Sequence, residues 1–278
     1  MKEIVEELKN LQELNALNKQ LPINKKTISF FEELIQFLFP IRSDKINCDI
    51  TSCNAITYLN NSLIELLGLI ENNELKKENH EKLSNYFLKS LPEIYQKLLT
   101  DAKLILDNDP AAKSLEEIIL TYPGFFAIAT YRICNLLAKL KIPILPRLIS
   151  EYAHSKTGID IHPSAEIETP FFIDHGTGIV IGETTNIGKN VKIYQGVTLG
   201  ALIVKKELNN KKRHPTIEDN VVIYSNATIL GGETVIGKNS IIGGNVWLTK
   251  SLEPNSIVYY KSDLIIKNSN NEDLLFYI

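Results

Sequence analysis

The sequence predicts an α+β chain in two unlike parts: an α-helical domain over residues 1–156, then a solenoid of short strands over 157–260 and a tail, 261–278. Three observations carry that expectation. Aliphatic residues recur at every sixth position, Ile181, Ile187, Ile193 and Leu199, and Thr185, Val191, Val197 and Ile203 lie four positions after each. Twelve of the fourteen glycines fall between Gly158 and Gly244. The first half instead spaces its apolar residues by three and four. A six-residue period suits neither a helix nor a half-buried strand; it suits short strands joined by regular corners, each coil resting its apolar row on the next.

In the helical part, Ile4, Val5, Leu8 and Leu11 share one face of a first helix. Phe30, Phe31, Leu34, Ile35 and Leu38 share a face of a second, which Pro40 ends. Segments around 63–70 and 83–91 continue the pattern, while 71–80 is too polar to assign. Pro92 stands where a first-turn proline is tolerated, so a new helix is expected there, with Ile94, Leu98, Ala102 and Ile105 on its apolar face. Asp107-Asn108-Asp109-Pro110 stops it. Ser114 and Glu117 form a capping box ahead of Ile118 and Ile119. Pro123 opens a helix through Phe126, Tyr131 and Leu137, and Pro143 to Pro146 lead into a last one through Tyr152.

The hexad rhythm breaks over 201–215, where five lysines and arginines stand against one acid. That segment reads as a loop extruded from a rigid scaffold, a common place for a site. The rhythm resumes at Ile223 and then, one residue out of step, at Leu230, Ile236, Ile242 and Leu248, with Thr234, Ser240, Val246 and Leu252 four positions later. After Pro254 the period is lost, and a polar stretch precedes the apolar end Leu274-Leu275-Phe276-Tyr277-Ile278.

Composition excludes several classes. A chain of 278 residues, 44% hydrophobic and 23% charged, is ordinary for a soluble protein, and a net charge of −3 gives no reason to expect nucleic acid. No run approaches the roughly 18 apolar residues of a membrane span. The amino terminus, MKEIVEELKN, carries acids where a signal peptide has an apolar core, so a cytoplasmic location is expected. Three cysteines outside any tight CxxC are no disulfide framework. Cys48 and Cys53 have the spacing of half a metal site, but no second pair follows, and they read as free thiols in a helical region.

The residues that bear chemistry gather at the first coils and the breach. The register projected back from Ile181 puts His175 in an inward slot, where a polar side chain is costly without a partner. Asp160, fifteen residues earlier, falls close to one three-strand turn away, so the two are expected to meet on neighbouring coils. An Asp that accepts one imidazole N–H fixes the tautomer and leaves the other nitrogen as a base. His162, Asp174 and His214 join them, and the return of the repeat at Pro215 holds Arg213 and His214 near the wall. No His-x-His or His-x3-His pairing is present, so no metal is expected.

With these residues in view, the sequence resembles the serine O-acetyltransferases of the hexapeptide-repeat acyltransferase superfamily. The resemblance lies in DIHPSAEI (160–167), DHGTGIVIGET (174–184), QGVTLGA (195–201), RHPTI (213–217), NDPAA (108–112) and YPGFFAIATYR (122–132), and spans about 92–259. It implies a left-handed parallel β-helix that assembles as a homotrimer or dimer of trimers, with active sites between subunits. The implied reaction carries acetyl from acetyl-CoA to the hydroxyl of L-serine, the entry to cysteine, with L-cysteine as a feedback inhibitor.

Residue by residue, the resemblance makes His175 the base and Asp160 its partner. Asp109 and Asp174 hold the serine ammonium, Arg213 meets its carboxylate, and His214 neighbours the substrate. Backbone groups near Gly200, Ala201, Ser225 and Gly243 are the candidate acetyl-CoA contacts, and Lys205 and Lys206 candidates for its phosphates. Residues 92–156 then contribute to the substrate site and 1–91 to assembly. Many family members end in an isoleucine that enters O-acetylserine sulfhydrylase, so Ile278 implies the same partner. Ala201 and the long lysine-rich loop depart from the commonest family pattern.

Three alternatives stay open at this point. They are another hexapeptide acetyltransferase acting on an amino sugar or xenobiotic, a zinc enzyme of the carbonic-anhydrase type on the same scaffold, and a non-catalytic scaffold.

Overall fold

The computed structural model describes residues 2–14, 23–43, 53–70, 75–203 and 211–261. Cys48, Lys205, Lys206 and Ile278 lie outside the described residues. The helices are α1 (Lys2–Leu14), α2 (Ile23–Leu38), α3 (Cys53–Leu69), α4 (His80–Asn108), α5 (Leu115–Thr121), α6 (Pro123–Lys139) and α7 (Leu145–Thr157). No described helix is long and apolar enough to cross a membrane.

The α2 stripe is buried as its spacing predicts, whereas Ile4, Val5, Leu8 and Leu11 of α1 are all exposed. Ser114 caps α5 by accepting the Glu117 N–H at 3.1 Å, and Pro123 occupies the first turn of α6. Pro92, however, starts nothing: α4 runs through it unbroken. Phe87 and Leu91 before it and Ile94 and Leu98 after it are all buried in one core, and that shared burial outweighs a helix penalty of about 3 kcal/mol.

The strands are β1 (Asp160–Ile161), β2 (Glu166–Ile167), β3 (Phe171–Asp174), β4 (Val180–Ile181), β5 (Asn186–Ile187), β6 (Val191–Tyr194) and β7 (Thr198–Gly200). After the loop come β8 (Thr216–Ile217), β9 (Val222–Ile223), β10 (Thr228–Leu230), β11 (Val235–Ile236), β12 (Ile241–Ile242), β13 (Trp247–Leu248) and β14 (Ile257–Val258). They form three parallel faces: A is β1-β4-β7-β10-β13, B is β2-β5-β8-β11, and C is β3-β6-β9-β12-β14. The chain visits A, B and C in turn, as a left-handed parallel β-helix.

The inward row is Ile181, Ile187, Ile193 and Leu199 with Thr185, Val191 and Val197, all buried. Two register readings need correction. Ile203 is 56% exposed, because the chain has already left the wall for the loop. Leu230 is not the inward residue of its strand; Ile229 is, stacked between Leu199 and Leu248. The one-residue slip falls later, at Gly231, whose φ of +105° accommodates it.

One corner carries a device that the hexad does not reveal. Asn190, Asn220, Asn239 and Asn255 all have φ near +60°, and each side-chain amide donates to the next asparagine along, at 2.8, 3.1 and 3.0 Å. Asparagine tolerates the left-handed backbone, and the ladder satisfies its amide.

The helices dock on the first coil through buried polar groups. Arg132 of α6 pairs bidentately with Asp101 of α4 (2.5 and 2.8 Å) and donates to the Ile167 and Glu168 carbonyls, while Asp101 accepts the Phe171 N–H at 2.9 Å. Tyr131 Oη donates to the Ala165 carbonyl and accepts the Ile167 N–H. Gly124 lets α6 lie flat on β3: a Cβ there would meet the Ile173 carbonyl oxygen at 2.4 Å. Asp101→Ala would strand a guanidinium that is 6% exposed, so we expect a stability loss of about 3–5 kcal/mol in denaturant unfolding; a loss under about 1 kcal/mol would contradict this docking scheme.

Candidate active site

The predicted site residues fall into two clusters at two corners of the prism. At the corner between faces C and A, the C-cap of α4 presents Asp109. Its Oδ1 accepts the Ala111 N–H at 2.8 Å, and its Oδ2 accepts the Tyr122 hydroxyl at 2.6 Å. Asp174 ends β3, in register with Tyr194 of β6. The hydrogen bond to Asp109, with the nearby Asp174 charge, pushes the Tyr122 hydroxyl up to about 12. Tyr194 is raised by burial and then by Tyr224, Asp174 and Asp109. Both carboxylates therefore act on the same two phenols, and His175 follows directly.

His175 does not point inward. Its φ is +54° and its side chain is 72% exposed. The reason is corner length. Tyr194 stacks on Asp174 and Thr198 on Val180, so the His175 corner spans residues 175–179 where the coil above needs only 195–197. The two extra residues bulge outward, with positive φ at Gly176 and Gly178, and Ile179 fills the inward slot.

Nor do Asp160 and His175 pair. The first coil takes twenty residues, so Asp160 stacks on Val180 and fifteen residues fall short of a turn. Donor atoms of Asp160, Glu151 and His154 lie within 4.8 Å of one another, while the acid in ion-pair range of His175 Nε2 is Asp174, at 3.7 Å.

The second cluster sits at the corner between faces A and B. His214 Nδ1 accepts the Thr184 N–H at 3.1 Å, and Thr184 Oγ1 accepts the N–H groups of Arg213 and His214 at 2.9 and 3.1 Å. The Arg213 guanidinium pairs with Glu183. The His214 ring lies against Gly182, where a Cβ would meet its Cδ2 at 2.0 Å. Burial, then the Arg213 charge, lowers His214 to about 4, so the ring is neutral and Nδ1 keeps its lone pair for the Thr184 N–H. His162 is lowered by burial against the opposing charges of Glu183 and Asp160.

The candidate acetyl-CoA contacts divide in the same way. Gly200 and Ala201 leave face A toward the A/B corner, whereas Ser225 and Gly243 stand on the C/A corner after β9 and β12. Sequence reasoning missed Tyr122, present only as the first residue of the YPGFFAIATYR stretch, and Thr184. The signal for Thr184 was the polar GETT segment one long coil below RHP.

Two carboxylates at the same tyrosines beside an exposed imidazole, on a β-helix of hexapeptide coils, define the class as a hexapeptide-repeat acyltransferase. A family model described as "Serine acetyltransferase, N-terminal" matches residues 50–130. A Synechococcus elongatus relative named "Serine acetyltransferase, plasmid" is 47% identical over 200 residues, covering 70% of this chain and 61% of that protein. A Bacillus licheniformis serine acetyltransferase is 44% identical over 187 residues, 65% of this chain and 85% of the relative.

Among solved structures, Entamoeba histolytica serine acetyltransferase isoform 3 in complex with cysteine superposes with a TM-score of 0.75 at 32% identity, covering 91% and 86% of the two chains. The Neisseria gonorrhoeae enzyme in complex with serine gives 0.60 at 27%, over 88% and 97%. A serine acetyltransferase complex with CoA gives 0.57 at 25%, over 86% and 96%. The chain belongs to the serine acetyltransferase family.

The His214 shift has a testable sign. Between about 4 and the ordinary 6.5 the unfolded chain binds the proton that the folded chain refuses, so stability associated with the neutral ring is intact above 6.5 and lost as pH falls toward 4. We expect the His214 imidazole to titrate by NMR with a midpoint near 4; a midpoint of 6 or above would refute the buried neutral ring.

Proposed function

We propose that this chain transfers the acetyl group of acetyl-CoA to the hydroxyl of L-serine, giving O-acetyl-L-serine and CoA, with His175 as general base. The observation that carries the proposal is that Asp109 and Asp174 flank the same two tyrosines, Tyr122 and Tyr194, with the exposed His175 ring beside Asp174. Two carboxylates hold an ammonium, and a substrate anchored there turns its hydroxyl toward the imidazole. Serine's hydroxyl is a weak nucleophile near neutrality, so its proton must leave during attack. A positioned base contributes about 10²–10⁴ in rate. The new C–O bond forms as the proton moves to His175; the C–S bond then breaks, and the departing thiolate takes that proton.

Arg213 and His214 complete the site from another copy. Within one chain they stand a face away from Asp109 and Asp174, about 20 Å at the usual rise of a strand, farther than one amino acid reaches. A homotrimer that sets the C/A corner of one protomer against the A/B corner of the next brings Arg213 to the serine carboxylate. The same groove puts Ser225 and Gly243 of one copy opposite Gly200 and Ala201 of another, which suits an extended acetyl-CoA. Asp160, which starts β1 beside the same corner one coil below, remains the proposed partner of the imidazole.

The solved relatives in complex with serine, cysteine and CoA support serine and acetyl-CoA as substrates and L-cysteine as an inhibitor at the serine subsite. A dimer of trimers built through residues 1–91, and O-acetylserine sulfhydrylase docked on Ile278, extend the proposal.

We expect His175→Ala to lower serine-dependent thiol release by about 10²–10⁴ with little change in thermal stability; a loss under tenfold would refute the base. Mixing inactive Asp109→Ala and Arg213→Ala chains, then reassembling them, should restore a substantial fraction of activity. No recovery would refute a site shared between copies. Tyr122→Phe should raise KM for serine several-fold and leave kcat within about threefold, because it loosens Asp109 and touches no reacting atom.

A further inference from the structure

The acyl transfer proposed above needs one part that neither cluster supplies. When the serine oxygen bonds to the thioester carbon, the carbonyl π electrons move onto oxygen, and that oxyanion calls for a fixed donor. Asp109 and Asp174 only accept, His175 is occupied with the serine proton, and Arg213 is assigned to the carboxylate of the substrate.

Gln195 stands over the place where the donor is needed. Tyr194 stacks on Asp174, and Gly196 donates its N–H to the Thr177 carbonyl at 2.9 Å. Gln195, the single residue between them, therefore caps the bulge 175–177 that carries the imidazole. Its own carbonyl accepts the Asn226 N–H at 2.9 Å, which fixes the backbone. The side chain is in an unusual state: Oε1 is buried without a hydrogen-bond partner, and among the described residues Nε2 bonds to nothing either. Because only the oxygen is sealed off, the NH2 is the end of the amide that meets the surface.

Buried polar atoms are almost always paired, and one that is not marks a site where stability has been surrendered. We infer that the Gln195 side-chain amide is the oxyanion donor of this enzyme. The proton passes from serine to His175 while the carbonyl oxygen, turning anionic, accepts from Nε2. As the C–S bond breaks, the oxygen returns to a carbonyl and the donor lets go of the ester. Gln195 thus acts mainly on the transition state, so it governs kcat rather than substrate binding. This inference rests on the acetyl transfer proposed above.

The test is Gln195→Met in the full-length assembled enzyme. Methionine keeps the length and volume of the side chain and removes both the donor and the unpaired oxygen. We expect kcat for acetyl transfer to L-serine to fall about 10²–10³-fold, KM for serine and for acetyl-CoA to stay within threefold, and Tm to hold or rise. A kcat within threefold of the parent would overturn the inference. So would a fall in Tm with a parallel loss of activity that Gln195→Leu reproduces, which would assign Gln195 a packing role. If instead the parent chain fails to acetylate L-serine, the underlying function falls, and that outcome is read before any variant is made.

Discussion

The buried Asp101–Arg132 pair is the joint on which the rest of the molecule turns. Isolated in a core, two charges would cost more in lost hydration than they regain from each other. Here the remaining donors and acceptors are spent on the backbone of residues 167, 168 and 171, around the corner between β2 and β3 of the first coil. The pair thus fixes two helices to one strand. Asp109 lies eight residues along α4 from Asp101, about 12 Å of rigid rod, and Tyr122 opens the helix that carries Arg132. Once the joint is set, the Asp109–Tyr122 hydrogen bond follows from helix geometry, and Asp174 from its place three residues along β3 from Phe171.

Above that joint, function resides where the coils depart from uniform length. Equal coils would stack every side chain on its counterpart and leave a smooth prism. The first coil is longer at its C/A corner, and the surplus turns His175 out into solvent. The coil between Thr198 and Thr228 is far longer, and its surplus carries Arg213 and His214 back onto the wall over Gly182. The regular rungs supply stiffness, through the buried aliphatic row inside and the asparagine ladder outside. The irregular ones supply side chains for chemistry, held on a base too rigid to follow them.

The electrostatics of the two corners are opposite, and each suits one end of an amino acid. The C/A corner gathers Asp109 and Asp174 with phenols that stay protonated, so it attracts a cation. At the A/B corner, burial keeps His214 neutral, and the positive charge comes from Arg213, paired with Glu183, and from Lys212, which donates to the Thr184 carbonyl. A second proton on His214 would place two positive charges side by side in a poorly hydrated corner, which is why its affinity for protons falls so far.

The solenoid was legible in the sequence because inward burial repeats locally: every sixth residue faces the same interior whatever the rest of the chain does. Ser114, Pro123 and the stop at Asp109 were legible for a similar reason, since caps act on their own helix. Pro92 was misread because a continuous core on both sides overrides a local breaker. The direction of His175 and its separation from Asp160 were decided by coil lengths, which are set only once each strand has found its neighbour twenty or eighteen residues on. Tyr122 on Asp109 and His214 on Gly182 are meetings across 13 and 32 positions of sequence, and no period encodes them. Sequence determined what recurs and what caps; the tertiary structure decided which of the exceptions touch, because contact between distant residues depends on the path of all the chain between them.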